Sequence, residues 1–307
     1  MHTAAGIIAA FALGSGCAAI AALPSGPSPS AATQQAAVEI VFIDVGQGDA
    51  ALITAPDGRR VLIDGGPRNS GVAAYLRDRG IDTVDLVIAS HNHADHIAGL
   101  EDVFATLGVR YYMENGLPSA TQTYARLVGA VERSGAVVLT AEQRSIAFGD
   151  LRIHVLPFPP GAASQNTRSI GLVLQLGAFH AMFTGDAEVE TLAWWVAYVA
   201  LTRMSVVKVA HHGAGNGTIT DFVRMTSPSV AVMSVGATNQ YGHPSPIAVN
   251  MWTSVARYVL RTDRDGSVAV LGAADGSMRL WTAGGAPPLR DVPIAARSET
   301  SALEGRR

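Results

Sequence analysis

The sequence predicts a mixed α/β (α+β) domain in which two β-sheets stack between helices. Three observations lead there. Strand and helix signals alternate through residues 39–282, in two β-rich halves separated by a polar loop at 160–168. Apolar residues make up 48% of the 307-residue chain and charged residues 15%, enough to bury a large core and unlike a disordered chain. The only cysteine is Cys17, so neither a disulfide framework nor a cysteine-based zinc site holds the body together. The net charge of −3 provides no global basic field to draw in nucleic acid.

The first 38 residues stand apart. No Asp, Glu, Lys or Arg precedes Glu39, and residues 4–23 are continuously apolar or small. That pattern is expected of an export signal over 1–23, followed by a Pro/Ser/Ala linker over 24–37. Cys17, ending LGSGC, is similar to the acylated cysteine of a bacterial lipoprotein box, although Leu13 stands four residues before it rather than three. The expected location is therefore outside the cytoplasm: periplasmic, extracellular or lipid-anchored. Membrane contact is expected only through the lipid anchor or an uncleaved signal.

From residue 38 the elements follow in order. EIVFIDV (39–45), ALITAP and RVLIDGG read as three antiparallel strands, the last two separated by the turn signal PDG. A helix fits 69–80, and VDLVIAS (84–90) is a strand buried on both faces by its unbroken apolar content. Helices fit 95–107 and 121–134, and strands fit 137–140, 144–148 and 151–158. Past the polar loop, SIGLVLQL and FHAMFTGD are strands and 187–202 a helix, whose apolar run 192–201 is too short to span a membrane. SVVKVAHH, VAVMSVG, YVLRTDRDGSVAVLG and SMRLWT supply further strands, with helices at 218–226 and 245–256. One domain is expected over 38–284, and a frayed tail over 285–307.

The chemistry gathers at strand ends. His91-Asn92-His93-Ala94-Asp95-His96 follows VDLVIAS directly. In extended backbone His91, His93 and Asp95 face one side, and His96 joins them if the chain turns into a helix. Imidazole and carboxylate suit zinc, iron or manganese. His211-His212 and His243 also lie at or just beyond strands, whereas His154 and His180 read as structural. Asp186 ends AMFTGD, where it either caps the following helix or bridges two cations. Asp44 and Asp64 end strands too; each either orients a ligating histidine or forms a turn.

With these residues in view, the chain resembles the metallo-β-lactamase fold superfamily. More narrowly, it resembles the metallo-hydrolase domain of ComEC-type competence proteins. FIDVGQGDAALI, LIDGG, SHNHADHIAGL, NTRSIGLVLQL, FTGD, KVAHHG, SVGATNQYGHP and LRTDRDG carry it, in order, from about residue 40 to 270. The resemblance implies a four-layer αββα sandwich with a metal site at one edge of the sheets, holding one or two divalent ions, Zn or Mn. His91 and His93 would hold one ion, Asp95 and His96 a second, with Asp186 bridging. His211 would complete the second position, with His212 its close rival. Asp44, Asp64 and Asn166 occupy motif positions near the site, and His243 of YGHP lies close to the metals. Asn166 stands where many members have a histidine, leaving the first metal a ligand short. His93 stands where ComEC-type chains often carry Asp, and Ala214 where they commonly carry Ser. The membrane helices of those channel proteins are not in this sequence, so a stand-alone exported domain is expected.

The expected activity is metal-dependent hydrolysis by a phosphodiesterase or nuclease, with a nucleic acid or a smaller ester as the phosphodiester-containing substrate. In that expectation Asp95 orients the attacking water, His243 or His212 donates a proton, and Lys208 and Arg168 offset substrate charge if they face the site. Two alternatives remain at this point. One is a β-lactamase or other amide or ester hydrolase of the same fold. The other is a non-catalytic surface-binding or DNA-uptake accessory protein.

Overall fold

Two sheets and eight α-helices make up the computed structural model, which describes residues 36–283. The expected signal over 1–23, Cys17, the linker up to residue 35 and the tail over 285–307 lie outside the described residues.

The first half runs β1 (Ala37–Phe42), β2 (Ala51–Thr54), β3 (Arg60–Ile63), α1 (Val72–Asp78), β4 (Thr83–Ile88), α2 (Ala94–Ile97), α3 (Leu100–Thr106), β5 (Gly108–Glu114), α4 (Gln122–Ser134) and β6 (Val137–Thr140). The second half begins with β7 (Arg144–Phe148), β8 (Leu151–Val155), β9 (Leu172–Leu176), β10 (Phe179–Phe183), α5 (Val189–Tyr198), β11 (Val206–Lys208) and α6 (Thr220–Thr226). It ends with β12 (Val230–Met233), α7 (Pro246–Val255), β13 (Tyr258–Arg261), α8 (Thr262–Asp265), β14 (Val268–Ala273) and β15 (Met278–Thr282). The strand order is β15-β14-β1-β2-β3-β4-β5-β6 in one sheet and β13-β12-β11-β10-β9-β8-β7 in the other.

Three apolar clusters stack these pieces into four layers. Ile40, Phe42 and Ile53 meet Leu172, Leu174 and Phe179 between the sheets. On the other face of the first sheet, Val41 and Ile43 join Leu76 of α1, Val103 of α3 and Leu127 of α4. The alternation of Ile40 and Phe42 with Val41 and Ile43 is the period-2 geometry of a strand buried on both sides. Outside the second sheet, Met182 and Val207 pack on Trp195 of α5, Phe222 of α6 and Trp252 of α7. The order helix, sheet, sheet, helix is the αββα sandwich that the resemblance implied. Within the apolar run 192–201, Leu192 and Trp195 are buried in the core, while Tyr198 is exposed.

Three elements differ from expectation. The helix expected over 95–107 is two helices, because Gly99 abuts the backbone of β3's exit: a Cβ there would lie 2.0 Å from the Gly65 carbonyl oxygen. The strand β5, GVRYYME, was not anticipated, although its aromatic content suits a pleated surface. Residues 262–265, expected as strand, form α8, whose Asp265 carboxylate accepts the Arg261 N–H at 2.8 Å.

Pairing direction positions the site. Strands β3 to β6 run parallel, as do β10 to β13. Parallel strands bring their C-terminal ends to one side, where α/β folds place ligands. The loops after β3, β4, β10, β11 and β12 carry Asp64, His91–His96, Asp186, His211–His212 and His243 respectively. Helix α7 anchors the last of these loops. Its N-cap Ser245 accepts the Ala248 N–H at 3.2 Å and donates its own N–H to the Gly213 carbonyl at 2.8 Å. Ser245→Ala is expected to cost about 1 kcal/mol, read as a fall of a few degrees in Tm.

Candidate metal centre

Asp186 is the hub of the site. It is buried three residues past β10, and its Oδ2 lies 3.3 Å from His96 Nε2, 3.4 Å from His212 Nε2, and 3.8 Å from both His91 Nε2 and His211 Nε2. Among the described residues three groups have ligand atoms within 4.8 Å of one another: His91, His93 and Asp186; Asp95, His96 and His212; and Asp49, His96 and Asp186. His212 Nε2 is also 3.3 Å from Asp95 Oδ2. Among the described residues, His96 Nε2, His212 Nε2 and Asp186 Oδ1 are buried without a hydrogen-bond partner. Converging nitrogen and oxygen donors left unsatisfied in a buried pocket fit a divalent cation.

Local backbone explains the convergence. His93 is extended and caps α2, so the first turn of that helix brings Asp95 and His96 round to the side of His91. His211 and His212 both adopt left-handed backbone, with φ of 50° and 53°. This conformation is costly for non-glycine residues and concentrates at functional sites. The double reversal buries His212 and leaves His211 at the rim.

Buried carboxylates stand behind the ring nitrogens. Asp64, with φ of 57°, accepts the Ser90 N–H at 2.7 Å and the Ser90 hydroxyl at 2.8 Å, and takes a hydrogen bond from His96 Nδ1 at 2.9 Å. The Ser90 hydroxyl is 3.1 Å from His91 Nδ1. Asp49 is the residue that sequence reasoning missed. It lies in the quoted FIDVGQGDAALI motif, and its Oδ1 is 3.2 Å from His212 Nδ1, whose hydrogen bond goes to the Ser234 carbonyl at 2.8 Å. Burial alone would lower the His96 and His212 imidazoles, but Asp186 with Asp64 and Asp95, and Asp186 with Asp49, hold them well above the ordinary histidine value. Burial would raise Asp186, but His212 and His96 outweigh it and hold the carboxyl well below its ordinary range. Burial followed by the repulsion of His96 puts His91 well below its usual value.

Other expected residues sit elsewhere. Asp44 is exposed and accepts the Gly46 N–H at 3.1 Å, so it forms the turn rather than orienting a ligand. Asn166 donates to Glu188 Oε1 at 2.9 Å, which also accepts from Asn216 at 3.0 Å beside His211. His243 is half-buried at the mouth, its ring 5.6 Å from that of His211 and stacked on Tyr241. Lys208 does not face substrate: it is buried against Asp49. Arg168 donates to the Asn115 carbonyl at 2.9 Å and lies over the Phe158 ring, so it is engaged in the fold. A groove of about 440 Å³ opens onto Asp95, with Arg68, Thr123, Asn239 and Tyr241 among its walls. Among the described residues no helix is long and apolar enough to cross a membrane.

Comparison with known proteins agrees with this architecture. The chain is 30% identical over 251 residues to ComE operon protein 3 of Bacillus subtilis (strain 168), covering 75% of this chain and 32% of that protein. It is 25% identical over 214 residues to Recombination protein 2 of Haemophilus influenzae, covering 67% of this chain and 25% of that protein. The chain thus spans about a third or less of the length of these curated relatives. Solved structures similar to it include the metallo-beta-lactamase fold protein YhfI from Bacillus subtilis. That match has a TM-score of 0.49 at 11% identity and covers 74% of this chain and 95% of that one. A diphosphatase from the PhnP family has a TM-score of 0.44 at 15% identity, covering 72% and 94%. Residues 43–236 match the model of the metallo-beta-lactamase superfamily, which takes in the histidine motif, Asp186 and His212, and the chain belongs to that superfamily.

Proposed function

We propose that this superfamily hydrolase is a metal-dependent phosphodiesterase or nuclease acting outside the cytoplasm, with Zn or Mn at one or two positions. The observation that carries the reading is the pair of ligand groups meeting at Asp186. His91 and His93 would hold one ion, and Asp95, His96 and His212 the other, with Asp186 between them. In this reading His212, not His211, is the ligand, because only His212 joins Asp95 and His96. Bound there, divalent ions would supply Lewis acidity for phosphodiester hydrolysis.

The chain's own residues do the rest. Asp95, open to the groove on one side, orients the attacking water. His212 is occupied as a ligand, which leaves His243 to meet the substrate. Burial and the nearby His211 lower the His243 imidazole, so at neutral pH it is uncharged and donates one ring N–H to a phosphoryl oxygen. Arg68, half-exposed in the groove wall and paired with Glu101 Oε2 at 3.0 Å, keeps further guanidinium N–H groups for the negative charge of the ester. The net charge of −3 suits a small phosphodiester at least as well as a nucleic acid. Export rests on the N-terminal sequence alone.

The test is hydrolysis of bis-p-nitrophenyl phosphate by metal-stripped protein, then after addition of Zn²⁺ or Mn²⁺. Turnover is expected only with metal, and Asp95→Asn is expected to lower it at least about a hundredfold, the scale of a misplaced proton acceptor. Folded, metal-loaded protein that leaves the diester intact but cleaves nitrocefin would move the assignment to amide hydrolysis.

A further inference from the structure

Lys208 is the only lysine in the chain; the other 21 basic residues are arginines. It is 3% exposed at the end of β11, with its ammonium against Asp49 Oδ2. The remaining space beside it, lined by Phe42, Ala51, Ile63 and Phe183, is about 10 Å³. That is room for about one water and too little for a guanidinium. A buried charge persists only when paired, so Lys208 exists there as the partner of Asp49.

Asp49 in turn touches all three residues of one ligand group. Its N–H donates to the Asp95 carbonyl at 3.2 Å, its Oδ1 is 3.2 Å from His212 Nδ1, and its Oδ2 is 3.8 Å from His96 Nδ1. His212 Nδ1 donates to the Ser234 carbonyl at 2.8 Å and His96 Nδ1 to Asp64 at 2.9 Å, so Asp49 acts as a negative charge beside both Nδ1 atoms, favouring the tautomers that leave the Nε2 lone pairs free. Nothing equivalent supports the other group. His91 has the neutral Ser90 hydroxyl behind it, and His93 is exposed with its Nδ1 3.0 Å from His91 Nε2. Asp49 also lies within ligand reach of His96 and Asp186. The lysine occupies its Oδ2 and so leaves Asp49 an orienting group, not a ligand.

We propose that Asp49, held and neutralised by Lys208, is a positioning residue for His212 and His96, and that it makes the Asp95–His96–His212 position the tighter of two unequal metal positions. The inference rests on the metal-centre reading but not on phosphodiester chemistry. Protein that binds Zn²⁺ and fails to cleave bis-p-nitrophenyl phosphate leaves it intact.

The single lysine gives a direct probe. Full-length protein labelled with ¹³C at lysine Cε has one side-chain resonance to follow by NMR. The first equivalent of Zn²⁺ is expected to shift it, both in the wild type and in His93→Ala. A chelator-competition titration then gives the affinity for that first ion. The double variant Asp49→Asn/Lys208→Met removes the buried charges together, so no unpaired ion is left to unfold the protein. It is expected to bind the first Zn²⁺ about ten- to a hundredfold more weakly, and Lys208→Arg is expected not to behave as wild type. Three results would each overturn the proposal: a lysine resonance unmoved by the first equivalent, first-ion affinity unchanged in the folded double variant, or loss of the tight ion in His93→Ala. If the double variant fails to fold, the resonance and His93→Ala still decide.

Discussion

Asp186→Ala is expected to abolish metal-dependent hydrolysis, lowering kcat/KM by about a thousandfold or more, equivalent to about 4 kcal/mol of barrier. The reason is geometric. One buried carboxylate oxygen lies 3.3–3.8 Å from four imidazoles, among them members of both ligand groups. Removing it deprives each ion of a ligand and leaves His96 and His212 without the anion that contributes most to raising them. Asp186→Asn keeps the shape but not the charge and is expected to lose activity as severely. Metal analysis beside kinetics, with melting curves as a folding control, checks both. An alanine variant that keeps its ions and activity within tenfold of wild type would show that Asp186 is a structural cap.

Gly48→Ala is expected to damage stability and metal binding together. Gly48 has φ of 141°, and a Cβ there would lie 2.1 Å from the Asp95 carbonyl oxygen and 3.1 Å from Pro67 Cδ. The obstacle is the backbone of the metal loop, which no rotamer change relieves. Its neighbour Asp49 depends on the same contact through the 3.2 Å bond to that carbonyl. A cost of about 3 kcal/mol is expected, lowering Tm by roughly 10 °C in a domain of this size. The first Zn²⁺ should also bind more weakly. Gly46→Ala is the matched comparison: it has positive φ but open space around its Cβ, so only the backbone preference of about 1 kcal/mol is lost. Equal melting losses in the two variants would sink the steric account.

Much of this centre was legible because the ligands fall in short motifs at strand ends. His91, His93, Asp95 and His96 are close in sequence, and period-2 geometry plus one helical turn suffices to make them converge. Asp64 and Asp44 share a strand-end signature that left each open as an orienting residue or a turn-former; in the structure Asp64 meets His96 Nδ1 and Asp44 closes a turn. The difference lies in the direction each side chain takes as its strand leaves the sheet, which a one-dimensional pattern does not carry. His211 and His212 were equivalent in sequence. Two consecutive residues in left-handed backbone turned one inward and the other to the rim.

The sequence by itself determined the two-sheet architecture, the family and the types of candidate ligand, because burial periodicity and local motifs act over a few residues. Tertiary structure alone decided which histidine meets Asp95, that Asn166 binds Glu188, and that Lys208 faces Asp49 instead of substrate. Each is a contact between segments at least 22 residues apart along the chain. Such pairs are selected by sheet stacking and by the cost of burying an unpaired charge, and neither is written in any one segment.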